Sequence, residues 1–115
     1  MTRIIYKICD RAGWEEAERS GVFRGAPVDA RDGFIHFSTA AQVRETAAIH
    51  FAGETDLMLI AADAAVLGDA LKWEISRGGA LFPHLYGVLP LSAVLWAKPL
   101  ALDGDGRHVF AEPLQ

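Results

Sequence analysis

Polar and apolar positions alternate in short blocks whose spacing switches between the strand period and the helix period. Residues 3–9 carry Ile4, Ile5, Tyr6 and Ile8, β-branched or aromatic side chains that predict a strand. Asp10 is placed to cap a helix over 11–20 with Trp14, Ala17 and Ala12 inward, and Gly21 ends it. Residues 22–33 hold Gly25, Pro27, Asp29, Asp32 and Gly33 and predict a long loop. A second strand follows at 34–38, after which Ser38 or Thr39 caps a helix running to Phe51. Ala40, Val43, Ala47 and Phe51 form one stripe of that helix, and Gly53 stops it. Residues 56–62 are nearly all apolar and predict a central strand buried on both faces. Asp63 then caps a short turn ending at Gly68.

Residues 71–75 alternate as a half-buried strand. Beyond Gly78 and Gly79, Phe82 to Gly87 predicts a rigid loop, because Pro83 lacks the N–H that a central strand uses. Residues 93–98 predict a further strand, 103–106 a turn, and 108–110 a last strand closing a hairpin. Strands outnumber helices without a regular βαβ order. That predicts an α+β domain of small mixed, mainly antiparallel sheets with two or three helices.

The chain has 115 residues, the size of one domain, and 51% of them are apolar, ample for a core without a disulfide or structural metal. No repeat, low-complexity tract or linker divides it. The net charge of −4 disfavours broad nucleic-acid binding, which needs Lys and Arg against phosphates. A local basic pocket around Arg24, Arg31 or Arg77 for a small phosphorylated ligand stays open. Cys9, the single cysteine, reads as a buried core thiol. The sequence shows neither a membrane span nor a signal peptide, so a cytoplasmic location is expected. Oligomeric state leaves no trace in the sequence.

Two segments concentrate the candidate chemistry. In 34–38, alternation places Phe34, His36 and Ser38 on one face, beside a helix N-terminus suited to phosphate or ribose oxygens. His36 is a ligand-binding or catalytic candidate, or it bonds a loop carbonyl. Ser38 binds a ligand or simply caps the helix. In 82–87, His84 and Tyr86 accompany Phe82, which reads as an anchor; the exposed aromatics stack on a planar ligand or on the core. Glu74 lies on the polar face of its strand with Lys72 and Ser76, either solvated or sharing a cleft with His36. Arg77, just beyond, serves a phosphate or the surface. His50 and His108 read as packing or surface residues, and no histidine pair has metal-ligand spacing. Phosphate-loop, dinucleotide-fold and serine-elbow motifs are absent.

The pattern I-Y-x-I at 5–8, Trp14 with Gly21, G-F-I-H-F-S at 33–38, Gln42, the apolar strand 57–62, Trp73-Glu74 and F-P-H-L-Y-G at 82–87 closely resembles domain-of-unknown-function family 952. The resemblance spans nearly the whole chain and implies a small, mostly bacterial, cytosolic family without an established activity. More distantly, I-Y-K-I, Gly21 and G-F-I-H-F-S leading into a helix resemble the ADP-ribosyltransferase fold group. That likeness implies NAD or a related nucleotide as ligand, Glu74 at the nicotinamide ribose, and Tyr6 or Tyr86 stacked on nicotinamide. It further implies His36 and Ser38 on ribose or pyrophosphate oxygens, with His84 as general base or orienting donor. In that fold group a histidine often stands where this chain has Lys7. Lysine accepts no hydrogen bond, so His36 or His84 would take over the ribose. A non-catalytic module for a phosphorylated small molecule and a protein-interaction domain are the alternatives.

Overall fold

The structure is a computed structural model and describes residues 3–111 and 114. Three antiparallel sheets build it. The largest, ordered β1-β4-β8-β9, contains β1 (Ile4–Asp10), β4 (Leu57–Asp63), β8 (Val94–Leu102) and β9 (His108–Val109). β4 is buried on both faces from Leu57 to Ala62, the central position its apolar run predicts. One face packs Ile5, Met58, Ile60 and Ala62 against Trp14, Phe23, Ile35 and Phe37; the other packs Tyr6, Ile8, Leu59 and Ala61 against Val43 and Ala47. Cys9 is buried, and burial pushes its thiol up to about 12.

Helix α1 (Arg11–Ser20) buries Trp14 and Ala17 and ends at Gly21, whose N–H donates to the Ala17 carbonyl. Its N-cap is Asp10, whose Oδ1 accepts from the Gly13 N–H at 2.8 Å. Asp10→Ala should lower stability by roughly 0.5–2 kcal/mol, read as a reduced urea midpoint at unchanged m-value. Helix α3 (Ala40–His50) runs where its apolar stripe places it, burying Val43 and Ala47. Its N-cap is Thr39, whose N–H donates to Gln42 Oε1 at 3.0 Å. Ser38 does not cap it; its hydroxyl lies 2.9 Å from Thr46 Oγ1.

The expected loop over 22–33 instead holds β2 (Val22–Phe23), paired with β7 (Leu89–Pro90), and the short helix α2 (Pro27–Asp32). Pro27 occupies the first turn, where no N–H is required, and Gly33, at φ 85°, supplies the left-handed C-cap. A fourth helix, α4 (Ala64–Leu67), starts from Asp63, whose carboxylate accepts from the Ala65 N–H, in the turn expected there. The protein therefore has four α-helices among the described residues, two of them short.

The third sheet, β3-β6-β5, overturns the reading of 82–87 as a loop. β6 (Leu81–Leu85) is its central strand, between β3 (Ile35–His36) and β5 (Leu71–Ile75). Pro83 is tolerated because its missing donor falls where the β3 ladder stops. The Phe37 N–H donates to the Pro83 carbonyl at 3.0 Å, and no return bond can form. Past that point the chain leaves β6 and Ser38 pairs with Tyr6 of β1 through two 2.8 Å backbone bonds. The segment 33–38 thus joins the two larger sheets, with only two of its residues in regular strand. At the far end, the 103–106 turn is held by Asp103 Oδ1, which accepts from the N–H groups of Asp105 and Arg107.

Candidate functional site

β3 and β6 pair in the register that sets His36 opposite His84. The two histidine segments therefore meet, with ring centroids 5.5 Å apart. Phe34 lies against both, at 4.5 Å from His36 and 4.1 Å from His84, and reaches Tyr86 at 5.3 Å. Alternation along the strands puts these rings on one face, and Glu74 of β5 joins them from the next strand.

Glu74 Oε1 takes two hydrogen bonds, from His84 Nδ1 at 2.8 Å and from the Tyr86 hydroxyl at 2.8 Å. No other protein group bonds the carboxylate among the described residues, so Oε2 is left without a protein partner. The His84 hydrogen bond first, then that of Tyr86, lowers the Glu74 carboxyl below its ordinary range. The same bond raises the Tyr86 phenol. Because the carboxylate accepts, Nδ1 of His84 carries the proton, and in the neutral ring Nε2 is an acceptor. The His84 side chain is 6% exposed while Glu74 is 38% exposed, so the imidazole is fixed and the carboxylate accessible.

His36 has the opposite character. Its Nδ1 lies 2.6 Å from Asp29 Oδ1 and its Nε2 lies 3.0 Å from Asp32 Oδ2. One histidine thus faces a single carboxylate and the other, directly across the strand pair, faces two.

Asp29, in helix α2 rather than the loop expected over 22–33, is the hub beneath His36. Its side chain is 1% exposed and accepts from Lys7 Nζ, the Ala26 N–H and both the backbone and ring N–H of His36. Lys7 Nζ sits 2.8 Å from Oδ2 and 3.0 Å from Oδ1. Burial pushes the Asp29 carboxyl up, but the His36 hydrogen bond, the Lys7 charge and hydrogen bond and the Ala26 N–H outweigh it, leaving it lowered to about 2. Gly25 makes room: a Cβ there would stand 2.8 Å from that of Asp29, at a φ of 104° that side chains avoid. The signal for this hub was Lys7 itself, because a lysine inside an apolar strand needs a buried partner.

The remaining candidates fall to either side. Ser38, Thr46 and Arg77 join His36, Phe82 and His84 around a small cleft of about 90 Å³. There Arg77 donates to Thr46 Oγ1 at 3.3 Å, pairs with Glu45 at 3.2 Å and lies over the Phe82 ring. His50 is exposed and reaches the edge of this cleft. Phe82 is buried, as an anchor should be. Tyr6 does not join the site: it is 1% exposed in the core, packed 6.0 Å from Trp96, so its ring has no face for a ligand to stack on. His108 is remote in use as well, bonded to the Glu54 carbonyl. Among the described residues, no group of three or more His, Cys, Asp or Glu is arranged to hold a metal ion. No helix among them is long and apolar enough to cross a membrane.

No curated protein matches the chain. Among solved structures it is similar to protein CC0527 from Caulobacter crescentus. The crystal structure is 51% identical, with a TM-score of 0.89, covering 92% of this chain and 93% of that one. The solution NMR structure of the same protein is 52% identical, with a TM-score of 0.81 and 90% of each chain covered. The family described as "Protein of unknown function (DUF952)" matches residues 8–97, most of the length and both histidine segments. With the fold shared at that identity, the chain belongs to this family.

Proposed function

We propose that the domain is an ADP-ribosyltransferase-like enzyme, or a relict of one, that takes NAD or a related nucleotide at Glu74. The observation that carries this reading is the Glu74 carboxylate: ionised, held on one oxygen by His84 and Tyr86, and open on the other. An oxygen fixed in this way suits a ribose hydroxyl. It would also stabilise the positive charge that develops on the ribose as the nicotinamide bond breaks. Tyr86, 42% exposed and backed by Phe34, offers the stacking face for the nicotinamide. Nicotinamide leaves with the bonding electron pair, the acceptor attacks the freed carbon, and His84 Nε2 takes the acceptor's proton. His36, Ser38 and Arg77 lie on the side where ribose or pyrophosphate oxygens would be held. Lys7 is not available to the ribose, since Asp29 occupies it.

One observation favours a second reading. The cleft, of about 90 Å³, is far below the several hundred Å³ of ordinary ligand pockets, so much of a dinucleotide would lie on open surface. A non-catalytic module for a phosphorylated small molecule needs no more than that.

Thermal unfolding with millimolar NAD, ADP-ribose, nicotinamide or a 2′-phosphorylated nucleotide, alongside nicotinamide release from NAD, separates the two. Ligand at about a hundred times its Kd stabilises by roughly 2.7 kcal/mol, a shift on the order of ten degrees here. Stabilisation with turnover supports the transferase, and Tyr86→Ala should then weaken NAD by about tenfold through lost stacking. Stabilisation by any of these without turnover selects the binding module. No shift and no turnover overturns both.

A further inference from the structure

A larger cleft, of about 470 Å³, lies on the other side of α3, between that helix and the hairpin of β8 and β9. Thr46 and His50 face the candidate site, whereas Arg44 and Ala48 lie on the opposite side of α3 at about 100° per residue. The two clefts therefore use separate faces of one helix, and nothing in this inference rests on the transferase reading. Ala47, Ala48 and Ala52 are small apolar residues that leave the space open, and Phe110 adds an aromatic wall. Two guanidinium groups border it. Arg44 lies 5.4 Å over the Phe110 ring and has no carboxylate partner among the described residues, whereas the Asp103 carboxylate accepts from the Arg107 backbone N–H and also feels the Arg107 charge. Asp105 is the acidic residue of the lining and Asp103 stands beside Arg107, so Arg44 is the guanidinium left to meet a ligand. His108, also on the wall, spends Nε2 on the Glu54 carbonyl.

The volume falls within the range of small-molecule sites, and an apolar floor under two arginines selects an amphipathic anion. We propose that this cleft binds a small organic carboxylate with an aromatic or otherwise apolar body. The one guanidinium without a carboxylate partner, that of Arg44, matches a monoanion, and a planar carboxylate matches its fork.

Naphthoate and its uncharged isostere naphthamide test this in NMR titrations of the whole protein. Naphthoate should shift the amides of Ala47, Ala48 and Gly106 and bind about tenfold more tightly than naphthamide, as one charge-assisted contact implies. In Arg44→Ala/Arg107→Ala the two probes should bind alike, and Ala48→Trp, which fills the cleft from an exposed position, should abolish both. Circular dichroism melts of the variants establish that each is folded before titration. Equal affinity for the two probes in the wild type overturns the proposal, as do naphthoate shifts that leave these amides unmoved or survive Ala48→Trp.

Discussion

Asp29→Asn should destabilise the domain by about 3–5 kcal/mol, nearly as much as Asp29→Ala. The asparagine keeps the shape, but its one carbonyl oxygen can accept on the His36 side or the Ala26 side and not both, and it leaves the Lys7 ammonium buried with no opposite charge. The cost therefore lies in the uncompensated charge rather than in lost volume. Adding Lys7→Met to Asp29→Asn should recover part of the loss, since an apolar side chain in β1 would face the same core without a charge. Urea denaturation of the four proteins of this cycle gives the coupling directly. Additive effects would mean that the pair is not the source of stability.

The acid limb follows from the same residue. The Asp29 carboxyl is lowered to about 2 in the folded state. Its contribution is therefore fully present above its unfolded value, near 4, and is lost as pH falls from there toward 2. Asp29→Ala should flatten that part of the stability profile.

The parts of the fold that a local pattern can report were legible. β4 showed itself as an unbroken apolar run, α3 as a stripe ending at Phe51, and the last hairpin as a glycine-aspartate turn between apolar residues. The errors lie where a long-range contact decides a local signal. Pro83 marks a strand edge by rule, yet the edge here is the end of β3, one position beyond His36, which no reading of β6 alone can supply. Helix α2 is six residues long, too short to show a period, and its proline and glycine are its start and stop signals rather than loop formers. Ser38 lost its expected cap role because Thr39 took it.

The site divides in the same way. Face alternation placed His36 on its strand while His84 was expected in a loop, and the pairing of β3 with β6 turns the two motifs into one site. Asp29 escaped because its partners stand 22 and 7 residues away. Tyr6 was misjudged because its strand lies between a core face and Ser38, where an aromatic residue packs rather than binds.

If Glu74 is the residue that meets the transition state, Glu74→Gln should lower the rate of nicotinamide release by roughly 10²- to 10³-fold while leaving NAD-dependent thermal stabilisation close to that of the wild type. The amide oxygen can still accept from His84 Nδ1 and the Tyr86 hydroxyl, so the aromatic cluster should keep its geometry. What disappears is the negative charge opposite the developing oxocarbenium, an interaction made mainly in the transition state. A kcat loss with little change in KM is therefore expected, because charge is removed without removing a surface. The pH profile carries independent information. Hydrogen bonds from His84 and Tyr86 hold the Glu74 carboxyl below its ordinary value, so the group stays ionised until pH falls below the usual glutamate range. The acid limb of kcat belonging to this carboxylate should accordingly lie lower than for an unassisted glutamate, and His84→Ala should move it upward by removing the larger of the two supports. Full turnover in Glu74→Gln would take the carboxylate out of the mechanism. It would leave Glu74 with the structural task of fixing the His84 tautomer, and the site would then be read as one for binding.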